Sequence, residues 1–184
     1  MIRILAISGS LRAGSYNTSL LRMAAAHAPA EVEVEIYDDL ESLAPYNEDR
    51  ESDPPASATE LMERIRSADA LLLSTPEFNT TLPGQLKHVV DWGSRPYGPD
   101  AALYGKPVAV IGASQTDYGA MWAQDTLRKA LGIAGARVAD VELSVARAHE
   151  RFDADGRLTD ADTLAQLEHV LRGLAEHHRA TVTV

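Results

Sequence analysis

Residues 2–17 decide the fold, and they read IRILAISGSLRAGSYN. Ile2 to Ser8 form a short apolar run without alternation, which is typical of a central strand in a parallel sheet. The run ends in Ser-Gly-Ser, and a helix is predicted from about Asn17 to His27, just before Pro29. A buried strand, a loop of small residues and a helix in this order indicate an α/β architecture.

The remainder of the chain continues this alternation. Further strands are predicted over 32–37, 70–74, 108–113 and 137–143. The helices between and after them are predicted to begin at a Ser57–Glu60 capping box, near Leu82, at an Asp117 cap and at a Thr159 cap. In the last helix, Leu164, Leu167, Leu171 and Leu174 are expected to line one face. We therefore predict one domain over residues 1–184, with a five-stranded parallel sheet and helices on both faces.

Composition excludes several classes of function. The chain has no cysteine, so disulfides, thiolate catalysis and cysteine-ligated metals are ruled out. Its histidines are scattered without a ligand spacing, and no metal site is predicted. A net charge of −10 opposes binding to nucleic acid and to anionic membranes. No signal peptide or membrane span is recognisable, and a cytoplasmic location is expected.

The loop after the first strand, residues 9–17, has the properties of a phosphate site. It combines small and hydroxylated residues, one arginine and the free N–H groups of a helix start. A plain strand–turn–helix joint is the alternative interpretation. Gly9 and Gly14 have the glycine spacing of a Walker A loop, but Ser15 stands where its lysine is required. Leu11 replaces the second glycine of the dinucleotide fingerprint, so neither motif is present.

The loop after the third strand, residues 76–87, has an unusual composition. A proline, an aromatic residue and an amide follow one another in Pro76, Phe78 and Asn79, which suits a rigid loop beside a flat heterocycle. The alternative is a helix entry whose Phe78 belongs to the core. Two long connections, over about 38–55 and 93–106, are also expected to be functional because long loops in compact domains usually are.

Together these segments resemble a known family, the NAD(P)H-dependent FMN reductases of the flavodoxin-like superfamily, which includes bacterial quinone, chromate and azo-dye reductases. The resemblance rests on residues 9–17, on 76–87 with Asp91 and Trp92, and on weaker matches over 43–49 and 112–124. It spans roughly residues 1–145. It implies a flavodoxin-like three-layer sandwich with strand order 2-1-3-4-5.

The resemblance also implies a cofactor and site residues. The cofactor is FMN, with NADPH or NADH as co-substrate. The phosphate would be held by Ser10, Arg12, Ser15 and Asn17, with Tyr16 adjacent. The isoalloxazine ring would be bordered by Pro76, Glu77, Phe78 and Asn79, and approached by Ser114, Gln115 and Thr116. No catalytic residue is assigned, because hydride transfer through a flavin needs no protein acid or base.

The same resemblance implies ping-pong transfer to a small acceptor, such as a quinone, free flavin, azo compound or chromate, in a homodimer or homotetramer. Phe78 stands where tyrosine is common, and Ala120 and Trp122 replace a frequent glycine and arginine. Trp122 is left with three interpretations: subunit interface, cover for the ring, or core. A non-enzymatic flavodoxin is the main alternative function. A phosphorylation receiver domain is disfavoured, because 8–10 lack the acidic cluster and 75–77 lack the acceptor aspartate that such a domain needs.

Overall fold

Within residues 1–182, which the computed structural model describes, six strand segments join in one parallel sheet. The strands are β1 (Ile2–Ser8), β2 (Val32–Tyr37), β3 (Ala70–Thr75), β4 (Pro107–Ala113), β5 (Arg137–Val138) and β6 (Ser144–Val145). The helices are α1 (Tyr16–Ala26), α2 (Ala56–Ser67), α3 (Gly84–Gly93), α4 (Met121–Ile133) and α5 (Ala161–Val182). The order across the sheet is β2-β1-β3-β4-β5, with β6 also paired to β4. This confirms the predicted order 2-1-3-4-5.

Helices cover both faces of the sheet because successive strand residues point to opposite sides. Leu71 and Leu73 pack into a core with α2, α3 and α4, whereas Leu72 packs into a second core with α1 and α5. All residues of β3 and β4 are buried. The three-layer sandwich is therefore confirmed, and β1, β3 and β4 form its centre.

The fifth strand differs from the prediction of one continuous strand over 137–143. β5 pairs with the start of β4 and β6 with its end, and the residues between them leave the ladder. The guanidinium of Arg128, from α4, donates to the carbonyl oxygens of Val110 at 2.7 Å and Val141 at 3.1 Å. An arginine side chain thus occupies the space between the two backbones where ladder hydrogen bonds would form.

The predicted caps of helices α2 and α5 are wrong. The side chains of Ser57 and Glu60 do not form a capping box: Ser57 Oγ accepts from the N–H of Ala44 at 3.2 Å, and Glu60 Oε2 accepts from the Tyr37 hydroxyl at 3.0 Å. Helix α5 begins at Ala161, and Asp160 rather than Thr159 caps it, because Asp160 Oδ2 accepts from the N–H of Thr163 at 2.9 Å.

The long connection between β2 and α2 is held in place by helix α3. Gln85 Nε2 donates to the carbonyl of Leu40 at 3.1 Å, and the indole N–H of Trp92 donates to the carbonyl of Ala44 at 2.9 Å. No helix within residues 1–182 has the length and apolar character needed to cross a bilayer.

Candidate functional site

A cleft of about 350 Å³ lies where the carboxyl ends of β1, β3 and β4 meet, the edge at which open α/β sheets bind ligands. It is lined by Ser10, Arg12, Ser15, Tyr16, Asn17, Pro76, Glu77, Phe78, Ala113, Ser114 and Gln115. The structure therefore brings together all the residues predicted for the site except Asn79 and Thr116. Ala113 was not predicted, since an alanine at the end of an apolar strand carries no chemical signal.

The β1–α1 loop supplies hydrogen-bond donors at the start of helix α1. Ser15 caps the helix, with its Oγ accepting from the N–H of Thr18 at 3.3 Å. The first N–H groups of a helix lack an intrahelical acceptor, and those of Tyr16 and Asn17 find none elsewhere in the described part of the chain. These two donors, with the positive end of the helix dipole, are the local groups that an anion requires.

Gly9 allows this loop to approach helix α3 closely. A Cβ at this position would lie 2.9 Å from Leu86 Cδ2 and 3.2 Å from Pro76 Cδ. The loop is also tied to the neighbouring strand, because the N–H of Gly9 donates to the carbonyl of Ser74 at 2.8 Å. The glycine thus packs the first loop against the second, with no space for a side chain.

The side chain of Asn17 has a structural role. It is 3% exposed. Its Nδ2 donates to the carbonyl of Ala113 at 3.0 Å, and its Oδ1 accepts from the N–H of Ala113 at 3.0 Å and from Ser74 Oγ at 2.8 Å. The amide therefore joins α1 to β3 and β4. The group of Asn17 that is left for a ligand is its backbone N–H.

Arg12 is the cation of the cleft. Its guanidinium carbon lies 5.9 Å from the centroid of the Tyr16 ring. No carboxylate among residues 1–182 forms an ion pair with it. In a chain with a net charge of −10, a guanidinium without a carboxylate partner is available for an external anion.

Glu77 connects the second loop to helix α4. Its Oε2 accepts from the N–H of Trp122 at 3.1 Å and from that of Ala123 at 3.2 Å. Ala120, at the cap position, has φ 64° and makes no side-chain cap. The predicted cap by Asp117 is thus wrong: the N–H groups at the helix start donate to Glu77 in the loop after β3, and the Asp117 carboxylate instead faces Arg147 at 3.8 Å.

A tight turn follows Glu77. Phe78 and Thr81 exchange two backbone hydrogen bonds of 3.1 Å, and the two residues between them, Asn79 and Thr80, have φ of 51° and 61°. Positive φ at both central residues defines a type I′ turn. The turn directs Phe78 outward, where it is 57% exposed, so the interpretation of Phe78 as a core residue is wrong.

The loop after β4 completes the cleft. Ser114 Oγ accepts from the N–H of Thr116 at 3.1 Å, which folds the loop back on itself. The carbonyl of Thr116 accepts from the N–H of Arg147, so this residue turns toward the segment after β6 rather than into the cleft. Gly112 is enclosed, since a Cβ there would lie 2.8 Å from Gln124 Nε2.

A pair of exposed aromatic residues lies where helix α4 begins, and the backbone N–H of one of them, Trp122, donates to Glu77 of the cleft. Tyr118 and Trp122 pair with ring centroids 4.7 Å apart, and they are 54% and 40% exposed. The core interpretation of Trp122 is therefore excluded, and the interface and ring-cover interpretations stay open. Among the described residues, no group of three or more histidine, aspartate or glutamate side chains is arranged to hold a metal ion.

These groups fit a ligand with a phosphate at one end and a flat ring at the other. The free N–H groups and Arg12 lie at the α1 end of the cleft, while Pro76, Phe78 and Ala113 give the rest an apolar lining. A parallel sheet of order 2-1-3-4-5 with such a cleft at its switch point defines a flavodoxin-like mononucleotide-binding protein.

Comparison with known proteins specifies the family. Residues 2–150 match the family described as NADPH-dependent FMN reductase. An NAD(P)H-dependent FMN reductase of Pseudomonas aeruginosa is 39% identical over 176 residues, covering 94% of this chain and 93% of the relative. A 2-hydroxy-1,4-benzoquinone reductase of Burkholderia sp. is 34% identical over 168 residues, covering 91% of each chain. The solved structure of FerB, a flavoenzyme NAD(P)H:(acceptor) oxidoreductase from Paracoccus denitrificans, is 32% identical with a TM-score of 0.82, covering 96% of this chain and 99% of that one.

The chain belongs to the NADPH-dependent FMN reductase family. It is accordingly an oxidoreductase whose cofactor is FMN and whose reductant is a reduced pyridine nucleotide.

Proposed function

We propose that this enzyme passes electrons from NADH or NADPH, through FMN held in the cleft described above, to a small organic acceptor, with quinones as the first class to test. One observation carries the proposal. The unpaired Arg12 and the free N–H groups of α1 share a cleft with the apolar surfaces of Pro76 and Phe78. This combination matches the two ends of FMN. The relatives named as quinone and benzoquinone reductases support the acceptor class.

The phosphate end is assigned to the β1–α1 loop. Arg12 would supply the charge, Ser10 and Ser15 hydroxyl groups, and Tyr16 and Asn17 their backbone N–H groups. The helix dipole alone contributes only about 0.3–1 kcal/mol at an exposed site, whereas nanomolar binding needs about 12 kcal/mol. Direct hydrogen bonds and the charge of Arg12 therefore have to supply most of the affinity at this end.

The ring end is assigned to the loops after β3 and β4. Pro76, Glu77 and Phe78 would border the ring largely through backbone groups, and Ser114 and Gln115 would approach it from the loop after β4. When bound, FMN supplies the hydride chemistry. The protein positions the ring and offers backbone donors where charge develops on reduction. The carboxylate of Glu77, engaged with α4, keeps that loop in place.

The reductant and the acceptor would both use the one open face of the flavin ring, one after the other. Phe78 lines the cleft, and the exposed pair of Tyr118 and Trp122 is connected to it through the hydrogen bond from Trp122 to Glu77. These aromatic side chains would form the surface on which the nicotinamide, and then the acceptor, stacks. Successive use of one face implies ping-pong kinetics. Free flavin, azo compounds and chromate belong to the same proposal as further acceptors, as do a homodimer or homotetramer and a cytoplasmic location.

The test begins with flavin content. The purified chain is expected to carry a flavin spectrum or to gain one on titration with FMN. Steady-state oxidation of NADH and NADPH is then measured across a panel of acceptors, with benzoquinones first. Parallel lines in double-reciprocal plots are expected. A protein without FMN affinity would refute the site, and a yellow protein that oxidises neither nucleotide would point instead to an electron carrier.

A further inference from the structure

A second cleft, of about 400 Å³, adjoins the one assigned to FMN. It lies between the β1–α1 loop and the segment that follows β2. Ser10 and Arg12 line both clefts, so the two are continuous at this point. The remaining charged side chains of the second cleft are Arg22 from α1, and Asp38 and Glu41 from the segment after β2.

None of these four charged groups is neutralised by another group within residues 1–182. Arg12, Arg22, Asp38 and Glu41 take part in no ion pair, and their side chains make no hydrogen bond to any described residue. Elsewhere, Arg64, Arg95 and Arg151 lie within 2.6–2.7 Å of a carboxylate oxygen. The second cleft therefore holds cations and carboxylates from different elements without pairing them.

Such a set of groups matches a phosphorylated ribose. Guanidinium groups bind phosphate oxygens through paired N–H donors, and a carboxylate after the second strand of a nucleotide-binding sheet accepts hydrogen bonds from ribose hydroxyls. The cleft also offers apolar contact for a base. Leu11 is 49% exposed at its edge, and Ile36 and Leu40 line it from β2 and the following turn.

We propose that this second cleft binds the adenosine diphosphate end of the reductant, with Arg22 on the pyrophosphate and Asp38 and Glu41 on the ribose hydroxyls. The inference rests on the proposed function, since it requires FMN in the adjoining cleft. A dinucleotide that stacks its nicotinamide on the flavin extends past the FMN phosphate, and continuity at Ser10 and Arg12 gives it a path.

The carboxylates also determine which reductant is preferred. The 2′-phosphate of NADPH would face Asp38 and Glu41, and like charges at short distance repel. The free 2′-hydroxyl of NADH would instead donate to them. The geometry therefore favours NADH over NADPH.

The direct test is a calorimetric titration of the FMN-loaded protein with two probes, ADP-ribose and 2′-phospho-ADP-ribose. ADP-ribose is expected to bind more tightly than its 2′-phosphorylated form. Arg22→Gln is expected to weaken ADP-ribose by about tenfold or more, the range for a lost charged hydrogen bond. It should raise the KM for NADH by a similar factor and leave kcat and the Kd of FMN unchanged. Arg137→Gln, at the exposed start of β5 on the opposite edge of the sheet, is the matched control.

The double variant Asp38→Asn with Glu41→Gln completes the design. It is expected to shift the ratio of KM values toward NADPH by about tenfold, because two charges near the 2′-phosphate are removed. Unchanged ADP-ribose binding in Arg22→Gln, or tighter binding of the 2′-phosphorylated probe by the unaltered protein, would overturn the inference. Loss of FMN in Arg22→Gln would overturn it too, by assigning Arg22 to the first cleft. Failure of the unaltered protein to bind FMN would refute the proposed function instead.

Discussion

Glu77 caps helix α4 at Trp122, with 3.1 Å between the carboxylate Oε2 and the backbone nitrogen. The two residues are 45 positions apart in the chain. This contact joins the loop that borders the proposed ring site to the start of helix α4. A substitution of Glu77 should therefore alter the position of both the loop and the helix start.

Replacing Glu77 should destabilise the start of α4. Glu77→Ala is expected to lower the free energy of unfolding by about 0.5–2 kcal/mol, the cost of a lost helix cap. Glu77→Gln retains an acceptor oxygen, so its free energy of unfolding should fall by less. Urea denaturation of the FMN-free protein measures both, with Glu63→Ala on the exposed face of α2 as the control for charge removal. Equal stability of Glu77→Ala and Glu63→Ala would contradict the capping role.

Arg12 should carry much of the affinity for the phosphate. Arg12→Ala is expected to weaken FMN binding by about 1.5–3 kcal/mol, the range for hydrogen bonds to charged groups. That loss corresponds to a Kd raised by about ten- to a hundredfold. Fluorescence titration with FMN measures it, and Arg137→Ala changes the net charge equally at the other edge of the sheet. If both variants bind FMN as the unaltered chain does, Arg12 faces solvent.

Asn17 should matter for stability more than for ligand contact. Asn17→Ala removes the buried amide that serves Ala113 and Ser74, and it leaves their groups without a partner. A loss of about 1–3 kcal/mol in the free energy of unfolding is expected. Asn17→Asp should be comparably harmful at neutral pH, because a carboxylate cannot donate to the carbonyl of Ala113. A stable Asn17→Ala variant with weakened FMN binding would show that the side chain serves the ligand instead.

Thr80 is a site for stabilisation. A β-branched residue at φ 61° is unfavourable, and the left-handed region costs about 1–2 kcal/mol for an ordinary L-residue. Asparagine tolerates this region, so Thr80→Asn should raise the free energy of unfolding by about 0.5–1 kcal/mol. Thr81→Asn, which alters the neighbouring residue of the same turn, should bring no gain. A lower melting temperature of Thr80→Asn would show that the threonine side chain compensates for the backbone strain.

Asp160 should make the structure sensitive to acid. The hydrogen bonds from the Thr163 hydroxyl and N–H lower the pKa of this carboxyl, and Arg151 contributes to the effect. A lowered pKa in the folded state means that the ionised form is stabilised. The contribution is therefore present above about pH 4, the ordinary range of an aspartate, and is lost as the pH falls through the folded value.

The matched measurement compares Asp160→Asn with the unaltered chain. The variant should be less stable at pH 7, and the difference should shrink as the pH is lowered below about 4. Asp53→Asn, at an exposed loop position, should show no such pH-dependent difference. If the difference in unfolding free energy between Asp160→Asn and the unaltered chain stays constant from pH 7 to pH 3, the ionisation of Asp160 does not contribute to stability.

The fold could be predicted from local pattern. Apolar runs such as 70–74 and the leucine stripe of α5 depend only on residues close together in the sequence. Leu167, Leu171 and Leu174 of the stripe are buried, and Leu164 is half-buried. The components of the cleft were also predictable, because the ends of parallel strands share one edge of the sheet. These features depend on periodicity and connectivity alone.

The hydrogen bonds at the starts of α2 and α4, the contacts of Asn17 and the interruption of the fifth strand depend on long-range contacts and could not be predicted from the sequence. The predicted caps of α2 and α4 are wrong because the actual hydrogen-bond partners, such as Glu77 for α4, lie far away in the sequence. The same holds for Asn17, whose partner Ala113 is 96 positions distant. The break in the fifth strand depends on Arg128 entering from α4. Each of these contacts needs the folded arrangement before it can be seen.

The interruption between β5 and β6 also affects how this protein meets other polypeptides. A long, straight outer strand presents a row of unsatisfied backbone groups that a foreign segment can extend, which leads to aggregation. Here that margin is divided into two-residue pieces separated by an arginine-filled gap. At the opposite margin, β2 presents the exposed carboxylates of Glu33 and Glu35. Both borders of the sheet are therefore poor templates for intermolecular strand addition.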